Sequence, residues 1–380
     1  MDFSLSGEQA AIVEMARGFA AEELAPFAIE WDQAKHFPVD TLRKAGGLGM
    51  GGICVREDVG GSALGRLDAA LIIEALASGC PSVAAYISIH NMSASMIDRY
   101  GMDEQRRQWL PGLATMDKLA SYCLTEPGVG SDAAALKTRA VRDGDHYVLN
   151  GQKQFISGAG ASDIYVVMAR TGDDGPKGIS TLVMTADTPG LSFGVNEKKM
   201  GWNAQPTRAV TFDGARVPVA NRLGNEGDGF RIAMWGLDGG RLNIAAASLG
   251  GAQTAFDRAV SYMRERRAFG QALTDFQALQ FRLADMATEL EVARTFLWRA
   301  AAALDGGATD ATRLCAMAKR FVTDACFEVA NQALQLHGGY GYLSEYGIEK
   351  IVRDLRVHQI LEGANEIMRM IVARSIVGEP

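Results

Sequence analysis

Residues 147–156 read YVLNGQKQFI, and they mark a change in the periodicity of the chain. Aromatic and aliphatic residues flank Asn150-Gly151, a pair that accepts the positive φ angles of a type I′ turn. The segment therefore predicts a β-hairpin that turns at these two residues. The strand pattern continues in short apolar runs at 164–169, 179–184, 191–195 and 209–212. A β domain is predicted over residues 119–230.

Helical periodicity dominates on both sides of this β domain. Apolar residues recur at helical spacing from Ile12 to Leu24. Toward the C-terminus the pattern predicts long helices over about 240–266, 276–304 and 308–336. The predicted order is an α-helical domain over residues 1–118, the β domain, and an α-helical bundle over residues 231–380.

Residues 47–52, GLGMGG, fit the pattern GxGxxG. A predicted helix over 39–45 precedes them and a strand-like apolar piece, 53–55, follows. A dinucleotide-binding loop has the opposite order, because it leaves a strand and opens a helix. The segment is therefore not predicted to bind a dinucleotide.

Composition argues against several classes of partner. The 380 residues are 48% hydrophobic and 22% charged, which is typical of a globular protein. A net charge of -7 without blocks of like charge argues against nucleic acid and anionic membranes. No apolar run is long enough to span a bilayer, so membrane insertion is not expected. A capping-box pattern at Ser6 to Gln9, with the first arginine at Arg17, predicts neither a signal nor a transit peptide.

Cysteine and histidine usage bears on redox compartment and metal binding. The five cysteines are scattered and never spaced as CxxC, which fits a reducing compartment. The five histidines lie far from each other and from the cysteines. No metal site is predicted.

Glu362 is the candidate catalytic base. It follows Ile360 and Leu361 and precedes Gly363. Apolar neighbours remove hydration from a carboxylate and raise its pKa, which suits a general base near neutral pH. A helix is predicted over 366–377, with Asn365 as its cap and with Ile367, Met370, Ile371 and Arg374 on one face. Pattern alone also fits a solvated loop glutamate or a helix-dipole partner.

Four other segments carry polar groups that could bind a ligand. Residues 122–132, YCLTEPGVGSD, offer free backbone N–H groups and the hydroxyls of Thr125 and Ser131 to a planar ring or a phosphate. They also fit a solvent-exposed turn. The other three are 264–270 (RERRAFG), 335–341 (QLHGGYG) and 237–241 (LDGGR). Each of these three segments also fits an ordinary structural role. Residues 264–270 fit cations at a helix C-terminus, 335–341 fit a helix C-cap, and 237–241 fit a helix cap with a surface ion pair.

In combination, these segments resemble the acyl-CoA dehydrogenase family from end to end. The matching motifs are YCLTEPGVGSD at 122–132, NGQKQFISG at 150–158, RERRAFG at 264–270, QLHGGYGYL at 335–343 and ILEGANEIMR at 360–369. The resemblance implies an α+β fold with an N-terminal all-α domain, a middle β-barrel-like domain and a C-terminal four-helix bundle. It also implies FAD as cofactor.

The resemblance assigns a role to each matching position. Glu362 would remove the α-proton of an acyl-CoA thioester while the β-hydride passes to FAD. The residues that would line the flavin of the same subunit are Tyr122, Leu124, Thr125, Gly130, Ser131, Phe155, Ile156 and Ser157, with Ala364, Asn365 and Glu366 near the base. Those that would hold the FAD of a neighbouring subunit are Arg266, Phe269, Gln277, Gln335, Leu336, His337, Gly338 and Gly339. Those that would contact CoA or the acyl chain are Ser131, Asp238, Arg241, Gly363 and Arg374.

The stretches EWDQAKHFPVD (30–40), AYISIHNM (85–92) and KMGWNAQPTRAV (199–210) resemble the family branch that acts on isobutyryl-CoA. They imply conversion to methacrylyl-CoA in valine breakdown, with electrons passed to electron-transfer flavoprotein, and a homotetramer. The alternatives are a short straight-chain or 2-methylbutyryl-CoA substrate, an oxidase, and a non-catalytic CoA-binding protein. The expected compartment is the cytoplasm for a bacterial chain and the mitochondrial matrix for a processed eukaryotic one.

Some positions depart from the family pattern. Phe155 and Ser157 stand where many relatives carry Trp and Thr. His337 stands where Phe is common, and Ala364-Asn365 where Thr-Ser is common. These departures affect individual flavin hydrogen bonds and leave the base unaffected.

Overall fold

The structure is a computed structural model and describes residues 4–378. Its N-terminal part is helical. In chain order the helices are α1 (Gly7–Phe19), α2 (Ala28–Ala34), α3 (Val39–Gly47), α4 (Arg66–Gly79), α5 (Pro81–Tyr100) and α6 (Asp103–Ala114). The predicted capping box is confirmed at α1, since Ser6 and Gln9 each accept the other's backbone N–H at 3.1 Å.

The middle part is one eight-stranded sheet. Its strands are β1 (Ala120–Cys123), β2 (Arg139–Asp143), β3 (His146–Ser157), β4 (Ile164–Arg170), β5 (Ile179–Thr185), β6 (Leu191–Phe193), β7 (Thr207–Pro218) and β8 (Arg222–Leu223). They lie in the order β6-β7-β3-β2-β4-β5-β8, and β1 pairs in parallel with β4. This pairing brings Tyr122 beside Val166 and directs the end of β1 toward the helical parts.

The predicted hairpin turn at Asn150-Gly151 is wrong. Both residues lie inside the continuous strand β3, which pairs with β2 and β7. The extra residue at this point is Gly214 of β7, since Leu149 pairs with Ala215 and Asn150 with Asp213. The chain reverses earlier, between β2 and β3, where Gly144 has φ +61°. Gly151 has φ +143°, and a Cβ there would lie 2.8 Å from Thr138 Cα. Glycine at position 151 is therefore explained by a positive φ and a close backbone approach inside a strand, and not by a turn.

The C-terminal part is again helical. It comprises α7 (Gly229–Glu265), a short ribbon of β9 (Arg267–Ala268) and β10 (Gln271–Ala272), then α8 (Gln277–Asp305), α9 (Ala311–Leu336), α10 (Ile348–Arg356) and α11 (Asn365–Val377). α7 packs against α4, α5, α8 and α9. It begins well before the predicted residue 240, because packing stabilises a helix through Gly236, Gly239 and Gly240 despite their low propensity.

The predicted three-part α, β, α order and the α+β class are confirmed. Helices end at Ala114 and strands begin at Ala120, while the last strand of the sheet ends at Leu223. The domain boundaries at 118/119 and 230/231 stay predictions. In residues 4–378 no helix combines the length and apolar character that a membrane crossing requires.

The glycine-rich segment after α3 has a packing role. The predicted helix over 39–45 is confirmed, but residues 53–55 form turns, so the predicted strand-like piece is wrong. Ile53 N–H donates to Asn91 Oδ1 at 2.8 Å instead of joining a sheet. Gly52 lies against Ala114 at the end of α6, where a Cβ would be 3.2 Å from the alanine Cβ. Close helix contact explains glycine at this position.

Candidate active site

Glu362 lies in the short connection that precedes α11. Its φ is +55°, a backbone angle that costs a non-glycine residue of order 1 kcal/mol. The carboxylate points inward, and its Oε2 is buried without a hydrogen-bond partner among the described residues. Gly240 of α7 leaves space for it, since a Cβ there would lie 2.6 Å from Oε2. The surrounding structure thus holds a strained residue with an available acceptor atom.

Burial controls the protonation of this carboxylate. It raises the pKa of Glu362 from 4.5 to about 7, against the opposing charges of Arg241 and Lys319. A carboxylate with this pKa is both substantially ionised and a competent proton acceptor near neutral pH. The direction agrees with the shift predicted from its apolar neighbours.

Asp238 and Arg241 form a buried ion pair behind the base. Arg241 Nη1 donates to Asp238 Oδ1 at 2.7 Å, and Thr312 Oγ1 donates to Asp238 Oδ2 at 2.6 Å. Arg241 Nε also donates to the carbonyl oxygen of Glu362 at 3.3 Å. Both members of the pair are less than 10% exposed, so this is not the surface ion pair that the sequence alone also allowed.

Lys319 of α9 is a site residue that the sequence reasoning missed. Its fully buried Nζ donates to the carbonyl oxygen of Gly363 at 2.8 Å and to Asn365 Oδ1 at 2.9 Å. Burial lowers the pKa of this ammonium to about 8, and the charge of Glu362 opposes that shift. Lys319 falls on the buried stripe that includes Cys315 and Val322. A lysine at an apolar position of an amphipathic helix is the signal that could have identified it.

Replacing Lys319 by Met is expected to move the acid limb of the pH profile of kcat/KM upward by roughly one pH unit. The reason is that removing a nearby cation lets burial raise the pKa of Glu362 further. The pH profile of the variant measures this shift. Lys118→Met, at an exposed position, is the matched control. An unshifted limb in a folded Lys319 variant would contradict the electrostatic role.

The predicted details of α11 need correction. Asn365 does not cap the helix with its side chain, because its amide nitrogen donates to Asp324 Oδ1 at 2.7 Å and to Thr323 Oγ1 at 3.0 Å. The buried side of the helix carries Asn365 and Met368. The helix is confirmed, and the face that carries Ile367, Met370, Ile371 and Arg374 is half-buried or exposed. The hydrogen bonds of Asn365 to α9 determine which side of α11 is buried.

Two predicted flavin-lining segments lie side by side. Gln154 N–H donates to the carbonyl oxygen of Thr125 at 2.8 Å, which joins the loop after β1 to the end of β3. Phe155 there has φ +59°, and its ring is 63% exposed. The hydroxyl of Tyr122 is buried without a partner among the described residues, and burial together with the charge of Glu362 raises its pKa. The unpaired hydroxyl thus lies close to the base, and the exposed ring lies on the segment joined to the loop after β1.

A second missed feature fixes this loop. Lys153 and Glu126 form a buried ion pair at 2.8 Å, and Lys153 Nζ also donates to the carbonyl oxygen of Leu124 at 3.0 Å. Glu126 accepts the backbone N–H groups of Lys137 and Thr138 at 2.6 and 2.8 Å. Both residues lie in motifs quoted from the sequence, but their pairing depends on the sheet. Of the remaining predicted residues here, Ile156 is buried, Leu124 and Ser157 are half-buried, and Gly130 and Ser131 are exposed.

A second group assembles where α7 and α9 end. A cavity of about 340 Å³ is lined by Arg266, Gln335, Leu336, His337, Gly338 and Gly339, with Tyr262, Leu273, Tyr340 and Leu343. His337 stacks on Tyr262 with ring centroids 4.7 Å apart. The predicted residues Phe269 and Gln277 are exposed beside it, with the Phe269 ring 96% exposed on the β9–β10 ribbon. The structure thus brings most of this predicted set together.

Three predicted residues are not clearly part of the group around Glu362 or of the group at the ends of α7 and α9. Glu366 is exposed on the first turn of α11, and Ala364 is half-buried before it. Arg374 is exposed near the other end of α11, roughly 14 Å along the helix from Asn365. The contact of Arg374 with CoA or the acyl chain stays a prediction.

The residues present fit FAD. An exposed aromatic ring at Phe155 and a buried unpaired hydroxyl at Tyr122 suit a planar ring with polar edges. Arg266, which lines a concave site with glycines, suits a pyrophosphate. Among residues 4–378 no group of three or more His, Cys, Asp or Glu side chains is arranged to hold a metal ion.

Comparisons with known proteins identify the family. Three family models match in order: Acyl-CoA dehydrogenase, N-terminal domain (6–117), middle domain (121–215) and C-terminal domain (227–377). The chain is 58% identical over 375 residues to mitochondrial isobutyryl-CoA dehydrogenase of Bos taurus, covering 99% of this chain and 90% of that one.

Two solved structures are similar over the whole chain. The structure of butyryl-CoA dehydrogenase from Megasphaera elsdenii has a TM-score of 0.96 at 37% identity, covering 99% of this chain and 100% of that one. A chain from work on the electron transferring flavoprotein of Acidaminococcus fermentans has a TM-score of 0.97 at 40% identity, with both chains fully covered. The chain therefore belongs to the acyl-CoA dehydrogenase family of FAD-dependent oxidoreductases.

Proposed function

We propose that this protein dehydrogenates a short branched acyl-CoA between its α and β carbons, with isobutyryl-CoA as substrate and methacrylyl-CoA as product. The observation that carries the proposal is the carboxylate of Glu362, which is buried, unpaired at Oε2 and tuned to a pKa of about 7. The α-proton of the thioester passes to this carboxylate. Bound FAD supplies the acceptor for the hydride that leaves the β carbon.

The surrounding side chains position the base for this step. Arg241 and Lys319 donate to the carbonyl oxygens of Glu362 and Gly363, so two cations fix the backbone at the base and at the residue after it. The absence of a side chain at Gly240 leaves space beside Oε2. Tyr122 and Phe155 would lie along the flavin ring, and Arg266 with Gln335 to Gly339 would hold the pyrophosphate and adenosine of a second FAD. Glu362 is the one catalytic residue; the other predicted site residues bind or position.

The distance between the two FAD-binding groups supports an oligomer. Gly240, beside the base, and Arg266 lie on or next to the single helix α7, and their separation is roughly 39 Å at 1.5 Å per residue. One cofactor at the base is therefore too far from Arg266 of the same chain. We infer that Arg266 serves the FAD of a neighbouring subunit in a homotetramer, which sedimentation of the FAD-loaded protein tests.

The relatives support the finer parts of the proposal. The bovine relative is an isobutyryl-CoA dehydrogenase, which favours this substrate over straight short-chain and 2-methylbutyryl-CoA. The structure linked to an electron transferring flavoprotein supports that protein as electron acceptor. The bovine relative's mitochondrial location supports the matrix for a eukaryotic chain, and a bacterial chain would work in the cytoplasm.

A substrate panel tests the proposed function. FAD-loaded protein is assayed anaerobically with isobutyryl-, butyryl- and 2-methylbutyryl-CoA, using electron-transfer flavoprotein as acceptor. We expect kcat/KM to be at least about tenfold higher for isobutyryl-CoA than for either alternative. A higher value for another thioester would correct the substrate. In a parallel aerobic assay without the flavoprotein acceptor, reduction of oxygen to peroxide at the same rate would indicate an oxidase. No turnover of any thioester would contradict the proposed function.

A further inference from the structure

An apolar cluster next to the base has no part in the chemistry described above. Its buried members are Ala85, Ile89, Trp202 and Ile244, and Tyr122, Val357 and Leu361 pack against it. Leu361 directly precedes Glu362, and the hydroxyl of Tyr122 is close enough to feel the charge of Glu362. Through Leu361 and Tyr122 the cluster therefore lies next to the base.

Trp202 reaches this cluster from the loop between β6 and β7. Its φ is +56°, and its backbone N–H donates to Asp354 Oδ1 at 2.6 Å. The preceding Gly201 lies directly on the backbone of α10, where a Cβ would be 2.5 Å from the carbonyl oxygen of Arg353. Arg353 Nη1 in turn donates to the carbonyl oxygen of Met200 at 2.9 Å. The loop is thus attached to α10 at the tryptophan and at the two residues before it.

The indole itself is held by a buried chain of hydrogen bonds. Trp202 Nε1 donates to His358 Nε2 at 3.1 Å, so this ring nitrogen carries no proton. His358 Nδ1 lies 2.7 Å from Ser248 Oγ, whose own proton is donated to the carbonyl oxygen of Ile244 at 2.9 Å. His358 Nδ1 must therefore donate to Ser248. Every donor from the indole to the backbone of α7 has a defined acceptor.

The histidine stays neutral in this chain. Its side chain is fully buried, and burial lowers the pKa of His358 to about 3, with the charge of Lys319 acting in the same direction. The arrangement is therefore constant over the pH range in which Glu362 titrates.

We propose that Trp202, held by His358 and Ser248, is a specificity-determining residue that closes the acyl site a few carbons from Glu362. The inference deepens the proposed function and rests on it. An indole with a strained backbone and all its polar atoms bonded cannot swing aside without losing hydrogen bonds, so it acts as a fixed wall. A long straight acyl chain meets this wall, whereas a short branched group stops before it. Ala85, the smallest member of the cluster, leaves lateral space for a branch.

Binding to a turnover-deficient protein tests this directly. FAD-loaded Glu362→Gln protein is titrated calorimetrically with isobutyryl-CoA and octanoyl-CoA, alone and combined with Trp202→Leu or Trp202→Ala. We expect the ratio of the two dissociation constants to shift in favour of octanoyl-CoA by at least about tenfold with Trp202→Leu, and further with Trp202→Ala. Ser248→Ala should shift the ratio in the same direction by a smaller factor, because it releases His358 without enlarging the site.

Trp298→Leu is the matched control. It makes the same chemical change in α8, at a half-buried tryptophan whose Nε1 has no partner among the described residues. We expect it to leave the ratio unchanged. Trp202→Leu keeps much of the packing, so a folded variant is available even if Trp202→Ala does not fold. An unchanged ratio in Trp202→Leu would overturn the inference alone, whereas a Glu362→Gln parent that binds neither thioester would overturn the proposed function and the inference together.

Discussion

Replacing Glu362 by Gln is expected to lower kcat with isobutyryl-CoA by about 10³-fold or more, while FAD and acyl-CoA binding are kept. A positioned general base contributes about 10² to 10⁴ in rate. The loss should be near the upper end, because no other side chain in residues 4–378 is hydrogen-bonded to Oε2 and so in place to take over the proton. Gln is nearly the same size, so it preserves the site while its amide cannot accept the proton. Single-turnover flavin bleaching under anaerobic conditions measures the step directly.

Binding measurements separate loss of chemistry from loss of structure. The variant should retain its flavin absorbance and bind isobutyryl-CoA with a dissociation constant close to that of the parent. Glu104→Gln, at an exposed position of α6, is the control and should behave as the parent. Bleaching by the Glu362 variant within tenfold of the parental rate would remove Glu362 from the role of base.

The same substitution is expected to increase stability at alkaline pH. The folded protein raises the pKa of Glu362 from 4.5 to about 7, so it favours the protonated carboxyl. The stability this provides is complete below about pH 4.5 and is lost as pH rises through 7, where a buried charge must form. A neutral Gln avoids that charge. Above pH 8 the Gln variant should therefore be more stable than the parent by about 3 kcal/mol, and at pH 5 by much less.

Thermal unfolding of both proteins between pH 5 and 8.5 tests this expectation. The quantity of interest is the difference in unfolding free energy between variant and parent, and it should grow with pH around 7. This readout does not depend on turnover or on the identity of the substrate. Glu104→Gln should show no such growth. A difference that is constant with pH would mean that the carboxylate is hydrated in the folded protein.

Local sequence signals predicted the parts of the site that lie close together in the chain. Apolar neighbours and a following glycine indicated Glu362 as the base. In the structure the pKa of Glu362 is raised, and both Glu362 and Gly363 have positive φ angles. Asp238 and Arg241 are one turn apart in α7, so their spacing was informative. The Gln335–Gly339 exit of α9 does form a cavity with Arg266.

Features that depend on tertiary contacts were not predictable in this way. Lys319 contacts Gly363 across 44 positions of sequence, and His358 contacts Trp202 across 156. The pattern around each residue indicates only a helix or a loop. Asn150-Gly151 was misleading because a close backbone contact inside a strand can require a glycine with positive φ just as a turn does. In each case the deciding information is which distant segment packs against the residue.

The length of α7 has a consequence for assemblies that contain two kinds of subunit. This 37-residue helix leaves space for the base at Gly240, about a third of the way along, and leads to Arg266 at its C-terminal end. If each FAD is shared as proposed, a chain with a substitution only at Arg266 would weaken FAD binding at the active site of its neighbour. The Glu362 base of that chain would remain intact. Co-expressed with a chain defective only at Glu362, it could form a mixed particle in which some centres receive both intact parts. Activity would then depend on how the subunits are paired as well as on how many are intact.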